Sequence, residues 1–293
     1  MSDTTASLSR KIGTAGDLQS VVHTMKAVAA SSLGQYESAV RALNDYYRTV
    51  QLGLVACLRE IESPLAPAQI QNKETGPIIA VVLGSDQGLV GQFNDVMSDF
   101  VVKTLAGLPA QKTVWTVGGR IRSRLTETDL ELGKSFLLPG SIGAITQLVG
   151  LILIEFEALR EKGEVAQLYV FHNSPHAGEI YSPACQRLLP LDEVWRRELT
   201  AMAWPTKILP EVMNGGAATL LAFVREYLFV SLFRACAESL ASENASRLAA
   251  MQRAEKNIDE LLEDLNRSFH RLRQSGIDEE LFDLVAGFEA LKH

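Results

Sequence analysis

Cysteine is scarce in this chain: 293 residues carry three, Cys57, Cys185 and Cys236. They are scattered, with no CxxC pair and no even framework of the kind that staples a secreted fold, so reduced, buried thiols in a cytoplasmic protein are expected. A basic surplus is missing as well, since 28 Lys and Arg stand against 35 Asp and Glu for a formal net charge of -7. Without excess positive charge to neutralise phosphates, nucleic acid is not an expected partner. The start, Ser2-Asp3-Thr4, lacks the basic residue and apolar core of a signal peptide. With 47% apolar and 22% charged residues, the balance is that of an ordinary globular chain of one or two domains.

Catalytic motifs are absent too. No serine sits in a GxSxG elbow, no HExxH occurs, and no carboxylate pair stands apart from solvated helix charges. The glycine-rich turn holds Gly84, Gly88 and Gly91, which fails the G-x-G-x-x-G spacing, and Asp86 stands where a glycine would let a pyrophosphate approach. Gly133-Lys134-Ser135 resembles the end of a phosphate loop, but the leading glycine position is Thr128. His172, His176 and Cys185 would suit a metal only on a helix; Asn173, Ser174, Pro175 and Gly178 make that segment a turn, so loop histidines are expected. No cofactor, no metal and no catalytic residue of the chain's own is expected. The uncharged run Phe136 to Ile154 contains Pro139, Gly140, Gly143 and Gln147, which favours a loop and a buried helix over residues 141–160 rather than a membrane span.

What the chain does have is helical periodicity at both ends. After Gly216 neither Pro nor Gly recurs until Gly276, and Val224, Leu228, Leu232, Ala235, Ala241 and Ala245 form an apolar stripe. It continues through Leu248, Met251, Glu255, Ile258, Leu262, Leu265, Phe269 and Leu272 in alternating steps of three and four, the spacing of a coiled-coil seam with one polar member. From Gly216 to Ser275 such a helix is roughly 90 Å long at 1.5 Å per residue, so it needs a partner. Residues 1–63 supply one. Steps of four and three from Leu8 reach Ile12, Ala15, Gln19, Val22, Lys26, Ala29, Leu33, Tyr36, Val40, Leu43, Tyr47, Val50, Leu54, Cys57 and Ile61, and fourteen of the sixteen are apolar. Gly13 and Gly16 weaken the first turns, so the main helix is expected from about Leu18 with Asp17 as its cap. Gln19 and Lys26, the polar seam members, are expected to face another protein.

Between the two helices the pattern changes class. Residues 64–76 are a proline-bearing linker, and Ile78 to Leu83 is a β-branched run suited to a strand buried on both faces. Helix to Ala106, strand Lys112 to Val117, a short helix Arg120 to Leu125, helix 141–160, strand Val165 to His172 and strand Ile180 to Leu188 follow. The fold class is α/β plus a long antiparallel coiled coil. The terminal helices, 1–63 and 206–293, pair around an inserted, Rossmann-like, mostly parallel α/β domain at 77–205. Beyond Gly276 the residues Ile277, Leu281, Leu284, Val285, Phe288 and Leu291 share one apolar face. Gly276 is a place for the helix to bend or break, and the tip either folds back on the rod or enters an apolar sleeve of other subunits.

Four stretches, in order, resemble one family, the gamma subunits (central shafts) of F-type rotary ATP synthases. Met25-Lys26-Ala27-Val28-Ala29-Ala30 is similar to its MKMVAA signature, and Ser85-Asp86-Gln87-Gly88-Leu89-Val90-Gly91-Gln92-Phe93-Asn94 to its SDRGLCGGFN turn. Residues 238–251 resemble its SEHAARMAAM stretch, and Arg273-Gln274, Ile277, Glu280, Asp283 and Gly287 match its closing signature. The resemblance implies a rotating stalk that couples ion flow to conformational change at catalytic sites on beta subunits. Its implied partners are the alpha and beta subunits of the ring, the epsilon subunit and the c-ring, with the complex peripheral on the cytoplasmic side of a bacterial inner membrane. It also implies partner contacts at Met25, Lys26, Arg247, Arg273, Gln274, Ile277, Glu280, Leu281, Leu284, Val285, Phe288 and Leu291. Ser31-Ser32-Leu33-Gly34-Gln35 replaces the family's basic run, and Asp278 and Phe288 replace its usual Thr and Ala, as in a divergent or second-copy (N-ATPase-like) complex. The alternative is a non-rotary coiled-coil scaffold linking partner proteins.

Overall fold

The computed structural model describes residues 4–60, 76–176, 178–208, 210–212 and 216–290, with side chains to residue 287. The expected linker, the seam position Ile61 and Leu291 lie outside the described residues, as does the side chain of Phe288. In chain order the elements are α1 (Thr5–Glu60), β1 (Ile78–Leu83), α2 (Phe93–Ala106), β2 (Lys112–Val117), α3 (Gly119–Thr126), β3 (Glu131–Phe136), α4 (Ile142–Glu161), β4 (Gln167–His176), β5 (Glu179–Leu189), α5 (Glu193–Thr200) and α6 (Gly216–Ala290). The chain divides into two compact units, one of residues 1–30 with 247–293, the other of residues 31–246.

In the first unit α1 and α6 run antiparallel, since Gln19 meets Asp259 and Lys26 meets Glu255. Every expected seam residue there, from Leu8 to Ala29 and from Leu248 to Leu272, is buried or half-buried. α1 does not wait for Asp17. It begins at Thr5, with the Thr4 hydroxyl accepting from the Ser7 N–H at 3.2 Å, and runs through Gly13 and Gly16. The reason is tertiary: burial of Leu8 and Ala15, 3% and 4% exposed, outweighs about 1 kcal/mol per helical glycine.

The second unit holds a five-stranded sheet of order β3-β2-β1-β4-β5, parallel except for the antiparallel β4–β5 pair. The alternation of β1 divides its residues between two cores. Ile78, Ala80 and Val82 face Met97 and Val101 of α2 and Ile121 of α3, whereas Ile79, Val81 and Leu83 face Ile145, Val149 and Ile152 of α4. The second core also takes in Val50 and Leu54 of α1 and Tyr227 and Leu232 of α6, so the long helices are part of the domain's hydrophobic layer. α4 is long and apolar enough to cross a membrane by length and composition, but its Ile145, Val149, Ile152 and Phe156 face is buried in this core. Its start is set by Ser141, whose side chain accepts from the Ala144 N–H.

Several elements depart from expectation. β3 and α5 carry no strong periodic signal: β3 is ELGKSF on the sheet edge, half exposed, and α5 is EVWRRELT with one buried residue, Leu199. β4 and β5 extend through the expected turn into a hairpin, so His172 lies on a strand and not in a loop. α6 neither breaks at Gly276 nor folds back; it is helical to Ala290.

Two glycines hold the β1 and β2 ends together. A Cβ on Gly84 would lie 2.3 Å from the Ile121 Cβ, and Gly118 has φ +107° with the Ser85 backbone within 2.8–3.1 Å of where its Cβ would be. Gly118→Ala is therefore expected to cost about 2 kcal/mol or more, whereas Gly140→Ala, with open space around it, stays within about 0.5 kcal/mol. Urea unfolding midpoints of the two variants check this; equal midpoints would contradict it.

Candidate functional site

In a doubly wound sheet the place for a ligand is the crevice at the carboxyl ends of the strands, where the connections diverge. Here that place lies beyond β1 and β4, and α6 fills it. The Ser246 hydroxyl donates to the Val90 carbonyl at 2.6 Å, and the Ser242 hydroxyl donates to the Asn173 carbonyl at 3.0 Å. Leu83 and Val117, at the ends of β1 and β2, leave with Cys236, Ser239 and Leu240 a cavity of about 10 Å³, at most the size of one water.

The glycine-rich turn makes several bonds within its own chain and also lines, with Arg120 and Arg124 of α3, an open cavity of about 220 Å³. The Asp86 carboxylate accepts from the Gly119 N–H at 2.7 Å, so it occupies the amino end of α3 where an anion would otherwise sit. The Asn94 side chain accepts from the Ser85 N–H at 3.0 Å and donates to the Ser85 hydroxyl at 2.8 Å. Leu89 adopts φ 62° and Gly91 φ 58°, which folds the turn back toward α2. Among the described residues no group of three His, Cys, Asp or Glu is placed to hold a metal ion. Burial pushes the Cys185 thiol up to about 11 and that of Cys236 up to about 12, so both are protonated and poorly nucleophilic at neutral pH.

The charged centre of this unit is Glu238 on α6, 6% exposed. One carboxylate oxygen accepts from His172 Nε2 at 2.9 Å and from the Ser174 hydroxyl at 2.9 Å; the other accepts from Arg234 Nε at 2.6 Å. Burial alone would raise its pKa, but the His172 and Arg234 contacts more than reverse this and hold it at about 2, against an ordinary 4.5. The sequence signal was a charged residue inside Ala235-Cys236-Ala237 and Leu240-Ala241, a stretch that is buried all round.

The first unit contains the residues expected to meet partners. Lys26 Nζ lies 2.6 Å from Glu255, with His23 Nδ1 at 3.6 Å from the same carboxylate, so the charged member of each seam finds the other. Gln19 donates to Asp259 at 2.6 Å. Neither Gln19 nor Lys26 is left facing outward as expected, because a seam position opposite a complementary group satisfies it locally. The Lys26 contact, hydrogen-bonded and charged, holds the Glu255 carboxyl below its usual range. Met25 and Arg247 are half-buried.

Arg273, Gln274, Ile277, Glu280, Leu281, Leu284 and Val285 are exposed. Counting along both helices from the Gln19–Asp259 pair sets Thr5, the start of α1, level with Arg273. Beyond that level Ile277, Leu281, Leu284 and Val285 are 53%, 59%, 68% and 51% exposed, and Phe282, which the spacing did not single out, is 72% exposed. A row of large apolar side chains on one bare helix is the mark of a partner-binding surface.

The family model described as ATP synthase matches residues 4–291 of this sequence. The chain belongs to the ATP synthase family. Among its relatives are the ATP synthase gamma chains of Chromobacterium violaceum, 28% identical with 96% of this chain and 97% of that protein covered, and of Desulforudis audaxviator, 27% identical with 97% of each covered. Of solved structures, a chain in the rotor of the Euglena gracilis mitochondrial ATP synthase aligns with TM-score 0.62 at 17% identity, covering 93% of this chain and 98% of that one. A chain from the Tetrahymena thermophila central stalk and c-ring aligns with TM-score 0.55 at 22% identity, covering 80% of this chain and 99% of that one. This family member therefore has the fold of a central-stalk chain.

The Glu238 arrangement generates a pH prediction. Its folded pKa lies below its unfolded one, so its contribution is complete above about pH 4.5 and is lost as pH falls toward about 2. Over that window the parent chain should lose roughly 3 kcal/mol more stability than Glu238→Gln. Urea midpoints measured against pH check this, and parallel curves for the two proteins would refute it.

Proposed function

We propose that this chain is the central rotating stalk of a rotary ATP synthase, coupling ion flow through the membrane sector to conformational change at catalytic sites on beta subunits. The observation that carries the reading is the bare apolar end of α6 in a member of the ATP synthase family whose relatives are gamma chains. A stalk biases catalytic sites elsewhere only through contacts that differ with its orientation. A single helix with one apolar face has the necessary asymmetry.

In this reading the terminal helical regions, 1–63 and 206–293, form the shaft, and 77–205 forms the foot. The tip from Ile277 through Leu281, Leu284, Val285, Phe288 and Leu291 inserts into a sleeve of alpha and beta subunits. Met25, Arg247, Arg273 and Gln274 meet loops of the beta subunits, and Glu280 lies within the sleeve-bound tip. Lys26 reaches a beta subunit only by exchanging Glu255, its present partner, for a carboxylate of that subunit. The foot meets the epsilon subunit and the c-ring, and the complex is peripheral on the cytoplasmic side of a bacterial membrane.

A tagged full-length chain expressed in its own cells is expected to bring down alpha and beta subunits in stoichiometric amounts with ATPase activity. Capture of other proteins without them would establish the scaffold instead. Removing Ile277 to His293 is expected to lower recovery of the assembled ATPase several-fold while protease resistance of residues 77–205 is unchanged. Equal loss of both would contradict a sleeve-bound tip.

A further inference from the structure

We propose that Glu238 is a torque latch: a positioning residue that locks α6 against rotation on the α/β domain, so that load passes between them. The inference rests on the stalk reading and adds to it the residue that bears the load. Where α6 crosses the sheet most of its buried apolar side chains are small, Ala235, Cys236, Ala237 and Ala241, beside the larger Leu232 and Leu240. Apolar contact between small residues is non-directional and resists sliding poorly. Directional, charge-assisted hydrogen bonds resist it well.

Glu238 supplies those bonds on three sides. His172 and Ser174 hold it from β4, on the sheet. Arg234, one turn earlier on α6, fixes its other oxygen at 2.6 Å, and the same guanidinium lies 5.4 Å from the centre of the Tyr47 ring on α1. One carboxylate thereby ties β4 to α6 and, through Arg234, to α1. The Ser242 and Ser246 hydroxyls add single neutral hydrogen bonds to the backbone carbonyls of Asn173 and Val90. A buried carboxylate whose partners come from separate elements is costly to displace, which suits a joint under torsion.

The test uses the assembled complex in membrane vesicles, with ATP hydrolysis and ATP-driven ion uptake measured together by a pH-sensitive dye and a sodium electrode. Glu238→Gln should keep hydrolysis within twofold of the parent while ions moved per ATP fall at least threefold, the deficit widening as an opposing gradient is imposed. Val149→Ala, a core change in α4 that leaves the partners of Glu238 in place, serves as the stability control and should leave the ratio unchanged. An unchanged ratio for Glu238→Gln at every gradient, or an equal fall for Val149→Ala, would overturn the latch. If Glu238→Gln does not assemble, Ser174→Ala with Arg234→Gln, which removes two of the three partners, takes its place under the same two outcomes. A parent complex that hydrolyses ATP without moving ions, or that lacks this chain, would defeat the stalk reading rather than the latch.

Discussion

A helix with an apolar stripe has to have that stripe covered, and the arrangement of this chain follows from how α6 meets the requirement. α6 is 75 residues long, far more than a small domain can enclose. In one unit the sheet and α1 enclose it; in the other α1 alone lies along it; past the level of Thr5 the described chain supplies no cover. Each part carries the residues its cover calls for. Small and polar side chains stand where α6 is buried all round, large apolar ones every three or four residues where a single helix faces it, and large exposed ones at the tip.

The same requirement explains what occupies the strand ends of this Rossmann-like sheet. The crevice that would hold a ligand in such a sheet holds α6, and the helix end that would bind a phosphate holds Asp86. Both substitutions replace a mobile ligand by a tethered one. The fold gains attachment there, since Ser242, Ser246 and Glu238 bond the long helix to the loops and strands at that end of the sheet.

The seams were legible because heptad spacing survives in sequence whatever the partner, and each described position counted from Leu8 and Leu248 is at least half-buried. β1 was legible because a strand buried on both faces has no alternative to apolar β-branched residues. β3 was not, because an edge strand half in water is free to read ELGKSF. The helical start at Thr5 was hidden by Gly13 and Gly16, whose local cost is outweighed by packing that sequence does not display. His172 and Glu238 stand 66 residues apart, and nothing local links a strand histidine to a helix carboxylate. Gln19 and Lys26 stand out as exceptions to the seam, but spacing alone does not pair them with Asp259 and Glu255 across it.

The central claim is mechanical, and rotation tests it most directly. Gly140 has open space around it and lies on the α/β domain, so a cysteine there carries a visible probe without disturbing the core. With the alpha and beta ring fixed to a surface and ATP supplied, the probe on Gly140→Cys should turn continuously in one direction and stop when ATP is exhausted. ATP hydrolysis at full rate with the probe stationary would contradict the account.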